Sequence, residues 1–219
     1  MKNHIISNTG ERPSGLGSKT HRKAYILAFD ESSDRVKHSS DLLKKIGFEV
    51  ILVNTIEHDD AVISNKLGMQ TIFEMISNST DETWSYVFED DIDILEPITL
   101  EQIVKYEEIS KMFFYLGCCK FCGEKGLKKT KYKIDDFPVY SVSGHVACLH
   151  AVAYSKHGAS ELLEFSLNEN KERYMDVILR RFSYKYPPNV MRYDLSSPQH
   201  QSHRGIFFQD RKRYSSNIQ

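Results

Sequence analysis

The regular hydrophobic pattern of the chain opens on six apolar residues in a row, AYILAF at 24–29. An unbroken run of that length fits a strand buried on both faces of a parallel sheet. Residues 32–46 follow with helical spacing, Val36, Leu42, Leu43 and Ile46 falling on one side, and Gly47 stands where a helix C-terminal glycine belongs. FEVILV at 48–53 predicts a second buried strand. Ile63, Leu67, Ile72, Phe73 and Ile76 then mark one face of a helix over 62–76, and WSYVF at 84–88 predicts a third strand. Strand, helix, strand, helix, strand in this order implies βαβ units with right-handed crossovers, and so a mostly parallel central sheet flanked by helices.

Beyond residue 95 the pattern loosens. Residues 100–112 have helical spacing, FFYLG at 113–117 reads as a strand, and the Cys-, Lys- and Gly-rich stretch 118–136 as an irregular excursion. VYSVSG and HVACLHAVAYS return to β character; 156–165 and 171–182 read as helices, and the tail from 186 as loop-rich. Residues 1–22 are polar, rich in Gly and Ser and net basic, which predicts a flexible leader before a single domain over 23–219.

Charge and composition narrow the classes. With 29 Lys+Arg against 30 Asp+Glu in 219 residues the formal charge is −1. A general nucleic-acid binder would carry a basic excess. No run of about 18 apolar residues is present to span a membrane, and the N-terminus lacks the apolar stretch of a signal peptide. Cys118, Cys119, Cys122 and Cys148 in such a chain read as reduced thiols, with the cytoplasm as the expected location.

The chemistry concentrates at TWSYVFEDDIDIL, residues 83–95, where Glu89, Asp90, Asp91 and Asp93 follow directly on the third strand. Carboxylates this close repel and raise one another's pKa, so a cation, basic side chains or solvation must offset them. In open α/β sheets ligands bind beyond the carboxyl ends of the strands. A divalent cation there takes carboxylate and phosphate oxygens together. A solvated acidic loop is the plain alternative. Asp91-Ile-Asp93 also has the start of a haloacid-dehalogenase nucleophile motif, D-x-D-x-[TV]. Leu95 stands at its fifth position, and the motif lies after two βα units instead of near the start. An EF-hand is excluded, because its loop glycine is missing.

YVFEDDI resembles the E-D-D form of the D-x-D motif in glycosyltransferases of the GT-A fold, and in particular family 25, the lipopolysaccharide and collagen galactosyltransferase group, with the small glycosyltransferases of giant algal viruses. FDESSDRVKHSSDLLKKIGFEVILVNTI, KLGMQTIFEMI, CLHAVAYSKHGASELLE, YMDVILRRF and GIFFQDRKRYSS resemble further segments of that family in order, across most of 24–215. The family helix pattern G-x-x-G-C-x-x-S-H is broken here, with Met69-Gln70-Thr71 in place of the Cys and no Ser-His. The resemblance implies a GT-A-like, Rossmann-type α/β domain. It would transfer a hexose with inversion from a nucleotide-sugar, a UDP-sugar, to a glycan hydroxyl, using Mn²⁺ or Mg²⁺. It implies Asp91 as the most direct metal ligand, with Asp90 or Glu89 at the ribose or a metal-bound water. The ends of the first two strands, Phe29, Asp30 and Arg35, then Asn54, would hold the nucleoside, as the strand-end rule also requires. The D-containing helix supplies Asp176 as the base. His203 or His200 falls where GT-A enzymes draw a third metal ligand. The other readings of the acids are a haloacid-dehalogenase-type phosphatase on Asp91 and Asp93 and a non-catalytic module that binds nucleotide-sugar or glycan.

Other features carry less. His145 and His150 flank a predicted strand; core or surface positions are the commoner reading for such histidines, and an acceptor cleft is the alternative. The single C-x₂-C of Cys119 and Cys122 lacks the second pair a zinc site needs. Arg204 and Arg211-Lys212-Arg213 form a basic tail that fits equally a cover over a diphosphate and a solvated terminus. GLGSKT in the leader has neither the residue order nor the preceding strand of a phosphate loop.

Overall fold

The structure is a computed structural model that describes residues 21–118, 127–135, 137–142, 149–186, 189–192, 204–211 and 213–214. The expected leader, apart from its last two residues, lies outside them.

Strand β1 (Lys23–Ala28) is followed by helix α1 (Asp34–Ile46), strand β2 (Glu49–Asn54), helix α2 (Ala61–Ser77) and strand β3 (Ser85–Glu89). β1 pairs in parallel with β2 on one side and with β3 on the other. The first crossover runs from β1 to β2 and the second returns from β2 across β1 to β3, so the two run in opposite directions and put α1 and α2 on opposite faces. Local chemistry explains the helix ends. Ser33 caps α1 by accepting from the Val36 backbone N–H, and Gly47 closes it in the left-handed region at φ 115°. Asp60 caps α2 by accepting from Val62 and Ile63.

The sheet continues through β8 (Ala151–Tyr154), which is antiparallel to both β3 and β5 (Phe113–Cys118), to a short edge strand β10 (Arg204–Gly205). Four of six strands, β1, β2, β3 and β5, thus run the same way. This is the α/β, mostly parallel, helix-flanked sheet that the sequence implies. Alternation along β1 sends Tyr25 and Leu27 to one face and Ala24 and Ile26 to the other. The first face packs against Met69, Ile72 and Phe73 of α2, Leu162 of α4 (Lys156–Asn168) and Phe182 of α5 (Met175–Lys185). The second packs against Leu43 and Ile46 of α1 and Ile103 of α3 (Leu100–Val104). Each such fully buried side chain contributes roughly 1.5–3 kcal/mol.

The expected helix over 100–112 is shorter in the structure. A Thr99–Gln102 capping box starts α3, which ends at Val104 and gives way to a 3₁₀ turn at Glu107–Ile109. Tyr106 turns into the core there, 2% exposed, and stacks on Phe114. The helix expected over 171–182 starts later, at Met175, because the Lys66 ammonium donates to the carbonyls of Glu169 and Glu172 and holds the preceding turn outside the helix. Part of the expected excursion is regular: β6 (Leu127–Ile134) and β7 (Phe137–Val142) form a hairpin, joined by β9 (Asn189–Arg192) from the tail. The tail also supplies β10 and β11 (Phe207–Gln209), the latter antiparallel to β4 (Ile92–Ile94).

Gly205 allows the tail to lie this close. Its φ is 108°, and a Cβ there would sit 2.5 Å from the Leu116 carbonyl oxygen. Gly205→Ala should therefore destabilise the fold by about 2 kcal/mol, a fall in melting temperature of roughly 4–8 °C readable by circular dichroism.

Candidate active site

The carboxyl ends of β1, β2 and β3 open onto a cleft of about 230 Å³. Buried strands carry the chain straight to that edge, and the acids begin at the last residue of β3. Glu89, Asp90 and Asp91 all line the cleft, with Asp90 only 5% and Asp91 2% exposed. Asp176, in the first turn of α5, lines it from across.

What offsets the repulsion is first of all Arg35, from the first turn of α1. Its guanidinium lies 2.5 Å from Asp90 Oδ1 and 3.3 Å from Asp91 Oδ2. The buried Ser39 hydroxyl, one helical turn further on, donates to the Asp90 carbonyl at 2.8 Å. A second brace comes from the tail. The Gln209 amide donates to Glu89 Oε2 and, at 3.3 Å, to Asp91 Oδ1, while its carbonyl accepts from Arg211 at 3.1 Å. The Asp210 N–H donates to the Asp91 carbonyl at 2.8 Å.

The compensation is incomplete. Burial and the neighbouring Asp91 push the Glu89 carboxyl up to about 8, against the pull of Arg211. Asp90 and Asp91 also stand above the ordinary carboxylate range, because burial costs more than Arg35 returns. Fully ionised, four carboxylates would face two guanidiniums in this cleft, a surplus of two negative charges. Asp90 Oδ2 is buried without a hydrogen-bond partner among the described residues. These features fit a divalent cation, although among the described residues no three His, Cys, Asp or Glu side chains form a ready-made metal cluster.

Of the residues singled out in the sequence, Phe29, Arg35, Glu89, Asp90, Asp91 and Asp176 meet in this cleft. Phe29 is 59% exposed at its rim. Asp30 accepts from the Ser32 N–H and hydroxyl in its own turn, which holds its carboxyl below the usual range, and does not line the cleft. Nor does Asn54; its neighbour Thr55 does. His203 and His200 lie outside the described residues, as do His145, Cys119, Cys122 and Cys148. His150 is a core residue, fully buried with Nε2 3.2 Å from the Phe207 carbonyl. Asp93 faces His38 at 3.3 Å and is not in the cleft, so the two acids of the D-x-D pattern do not converge. The expectation of reduced thiols is corrected at Cys118, which is disulfide-bonded.

Sequence reasoning placed Arg211 near the site but missed Gln209, Thr55, Asn65 and Tyr174, which also line the cleft. Gln209 had one available signal, a lone amide beside Arg211 after the apolar GIFF.

No protein-family model and no curated protein sequence matches the chain. Among solved structures it is similar to a UDP-glucose pyrophosphorylase complexed with UDP-glucose (9% identity, TM-score 0.46, covering 78% of this chain and 89% of that one). It is similar to the CTP:phosphocholine cytidylyltransferase of Streptococcus pneumoniae (14%, 0.43, 82% and 95%). It is similar too to a Drosophila β1,4-galactosyltransferase in complex with manganese, UDP-Gal and xylobiose (12%, 0.41, 91% and 76%). At these values the likeness is one of general layout. Among the described residues no helix is long and apolar enough to cross a membrane.

The Glu89 proton has a measurable consequence. A carboxyl raised from 4.5 to about 8 binds more protons in the folded than in the unfolded state between those values. Its contribution to stability is greatest below about pH 4.5 and is lost as the pH rises towards 8. Glu89→Gln should flatten that slope and raise the melting temperature at pH 8 by several degrees in chelator-treated protein, measured by thermal denaturation from pH 5 to 8.5.

Proposed function

We propose that this protein is a transferase acting on a nucleotide-sugar. More narrowly, it is a divalent-metal-dependent, inverting glycosyltransferase of GT-A type that moves a hexose from a UDP-sugar to a glycan hydroxyl. The observation that carries the reading is the meeting of Glu89, Asp90 and Asp91 with Asp176 in one cleft, beyond the carboxyl ends of the neighbouring strands β1 and β3.

Asp91 and Asp90 would hold a Mn²⁺ or Mg²⁺ ion, which supplies positive charge to the donor diphosphate. Phe29 and Tyr174 form an exposed aromatic rim that accepts the flat face of a nucleobase. Arg211 brings a second guanidinium to the cleft, where it stabilises charge on the departing UDP oxygen. Asp176 takes the proton of the acceptor hydroxyl as that oxygen attacks the anomeric carbon. The bond from that carbon to the UDP oxygen breaks, and its electron pair leaves with UDP. Glu89, holding its proton near neutral pH, keeps the acidic wall from repelling the diphosphate.

The separation of Asp93 from the cleft speaks against a phosphatase using Asp91 and Asp93 together. A panel of UDP-sugars with Mn²⁺ tests the proposal. The wild type should release UDP, with slow hydrolysis by water included. Asp91→Ala should lower the rate by at least 10²-fold. Asp176→Asn should lower it 10²–10⁴-fold while the UDP-sugar still raises the melting temperature. Release of inorganic phosphate from a simple phosphomonoester, or donor binding with no turnover, would each overturn the reading.

A further inference from the structure

Strand β6 carries LKKTKYKI, four lysines in eight residues, in a chain whose net charge is −1. Among the described residues it is an edge strand, since the three-stranded sheet runs β6-β7-β9. Lys128, Lys129, Lys131 and Lys133 are all exposed. None of them forms an ion pair among the described residues, while the nearest acid at the hairpin turn, Asp135, is held by Lys105 at 2.5 Å. Tyr132 stands among them 47% exposed, with the Lys131 ammonium 5.6 Å from its ring centre. The other side of the hairpin is anchored: Ile134 and Val139 are buried in the second core cluster, and the Thr130 hydroxyl donates to the Val139 carbonyl at 2.7 Å.

Lysine on an edge strand also prevents unwanted pairing with other strands. That role does not call for an exposed aromatic in the middle of the array. Four ammonium groups with no ion pair among the described residues gather within six residues, and the pairing of β6 with β7 shifts between Lys129 and Lys133, so they form a compact basic patch rather than an evenly spaced row. Such a patch with an exposed aromatic in it suits a chain bearing anions on sugar rings, the aromatic taking the apolar face of a ring.

The strand also has a direction. β5 ends at the cleft edge of the sheet, because it runs with β3. The β6–β7 turn is tied by Lys105 and Asp135 to the end of α3, whose Leu100 lies beside Gly47 just before β2 begins, at the opposite edge. β6 therefore leads away from the cleft side of the molecule.

We propose that β6 is a docking strand for an acidic glycan, a linear saccharide carrying carboxylate, sulfate or phosphate groups, and that it holds the acceptor chain. The second half of this statement rests on the glycosyltransferase reading of the cleft; binding of the anionic chain does not.

The test uses the full chain and a fluorescein-labelled polygalacturonate oligomer, followed by anisotropy at 50 and 200 mM NaCl, with a neutral dextran of equal length and poly-uridine as competitors. The wild type should bind the uronate oligomer and lose affinity with salt, and dextran should not compete. Exchange of Lys128, Lys129, Lys131 and Lys133 for Gln should weaken binding at least tenfold. The matching exchange for Arg should restore it, and Tyr132→Ser should weaken it with all four charges in place. Equal binding by the Gln variant, competition by dextran, or tighter binding of poly-uridine would overturn the proposal. Stabilisation of the wild type by UDP-sugar and Mn²⁺, read in parallel, reports on the cleft alone and separates the two failures.

Discussion

The contact of Arg35 with Asp90 and Asp91 is the interaction on which the site depends. A parallel strand buried on both faces ends at an edge with little water, and three acids in succession there would drive that edge apart. One guanidinium, delivered by the first turn of the helix after β1, turns the repulsion into a bonded cluster. It can do so only because Ser33 starts α1 where it does, two residues earlier. The cluster is not neutralised: with all four cleft carboxylates ionised, negative charge exceeds the two guanidiniums, so the acids do not close into a balanced salt bridge. Buried ion pairs contribute little net stability in general; their worth here is in the arrangement they hold.

The tail provides the second half of the arrangement. Gln209 is 2% exposed and joins Glu89, Asp91 and Arg211 through one amide group. An amide suits the position because its NH₂ satisfies two carboxylates while its oxygen takes the arginine. β11 holds it there by pairing with β4, and β10 by pairing with β5.

Much of the frame was readable from residue pattern because the first three strands and two helices are each dictated locally. Continuous apolar runs, helical spacing and the Gly47 stop all agree with what packs around them, and the acids fall where strand-end chemistry places them. Legibility declined where long-range contacts decide. The turn of Tyr106 into the core, the capture of two carbonyls by Lys66 and the short tail strands all depend on partners distant in the chain. The same holds within the site. Phe29 and Arg35 were visible from their strand-end position and Asp176 from the family resemblance, whereas Gln209 acquires its contacts only when the tail returns, and Asn54 and Thr55 differ by one residue of strand phase. The disulfide at Cys118 likewise has no local signature.

Asp91 and Gln209 are 118 residues apart. Contacts of such separation form late, after the local helices and parallel strands have closed their shorter loops. The first three strands and both their helices can therefore be in place on a growing chain while the acidic wall still lacks its amide brace and Arg211. The wall of the cleft is completed only by the last strand, so an incompletely synthesised protein would present a folded scaffold with an unbraced cluster of acids.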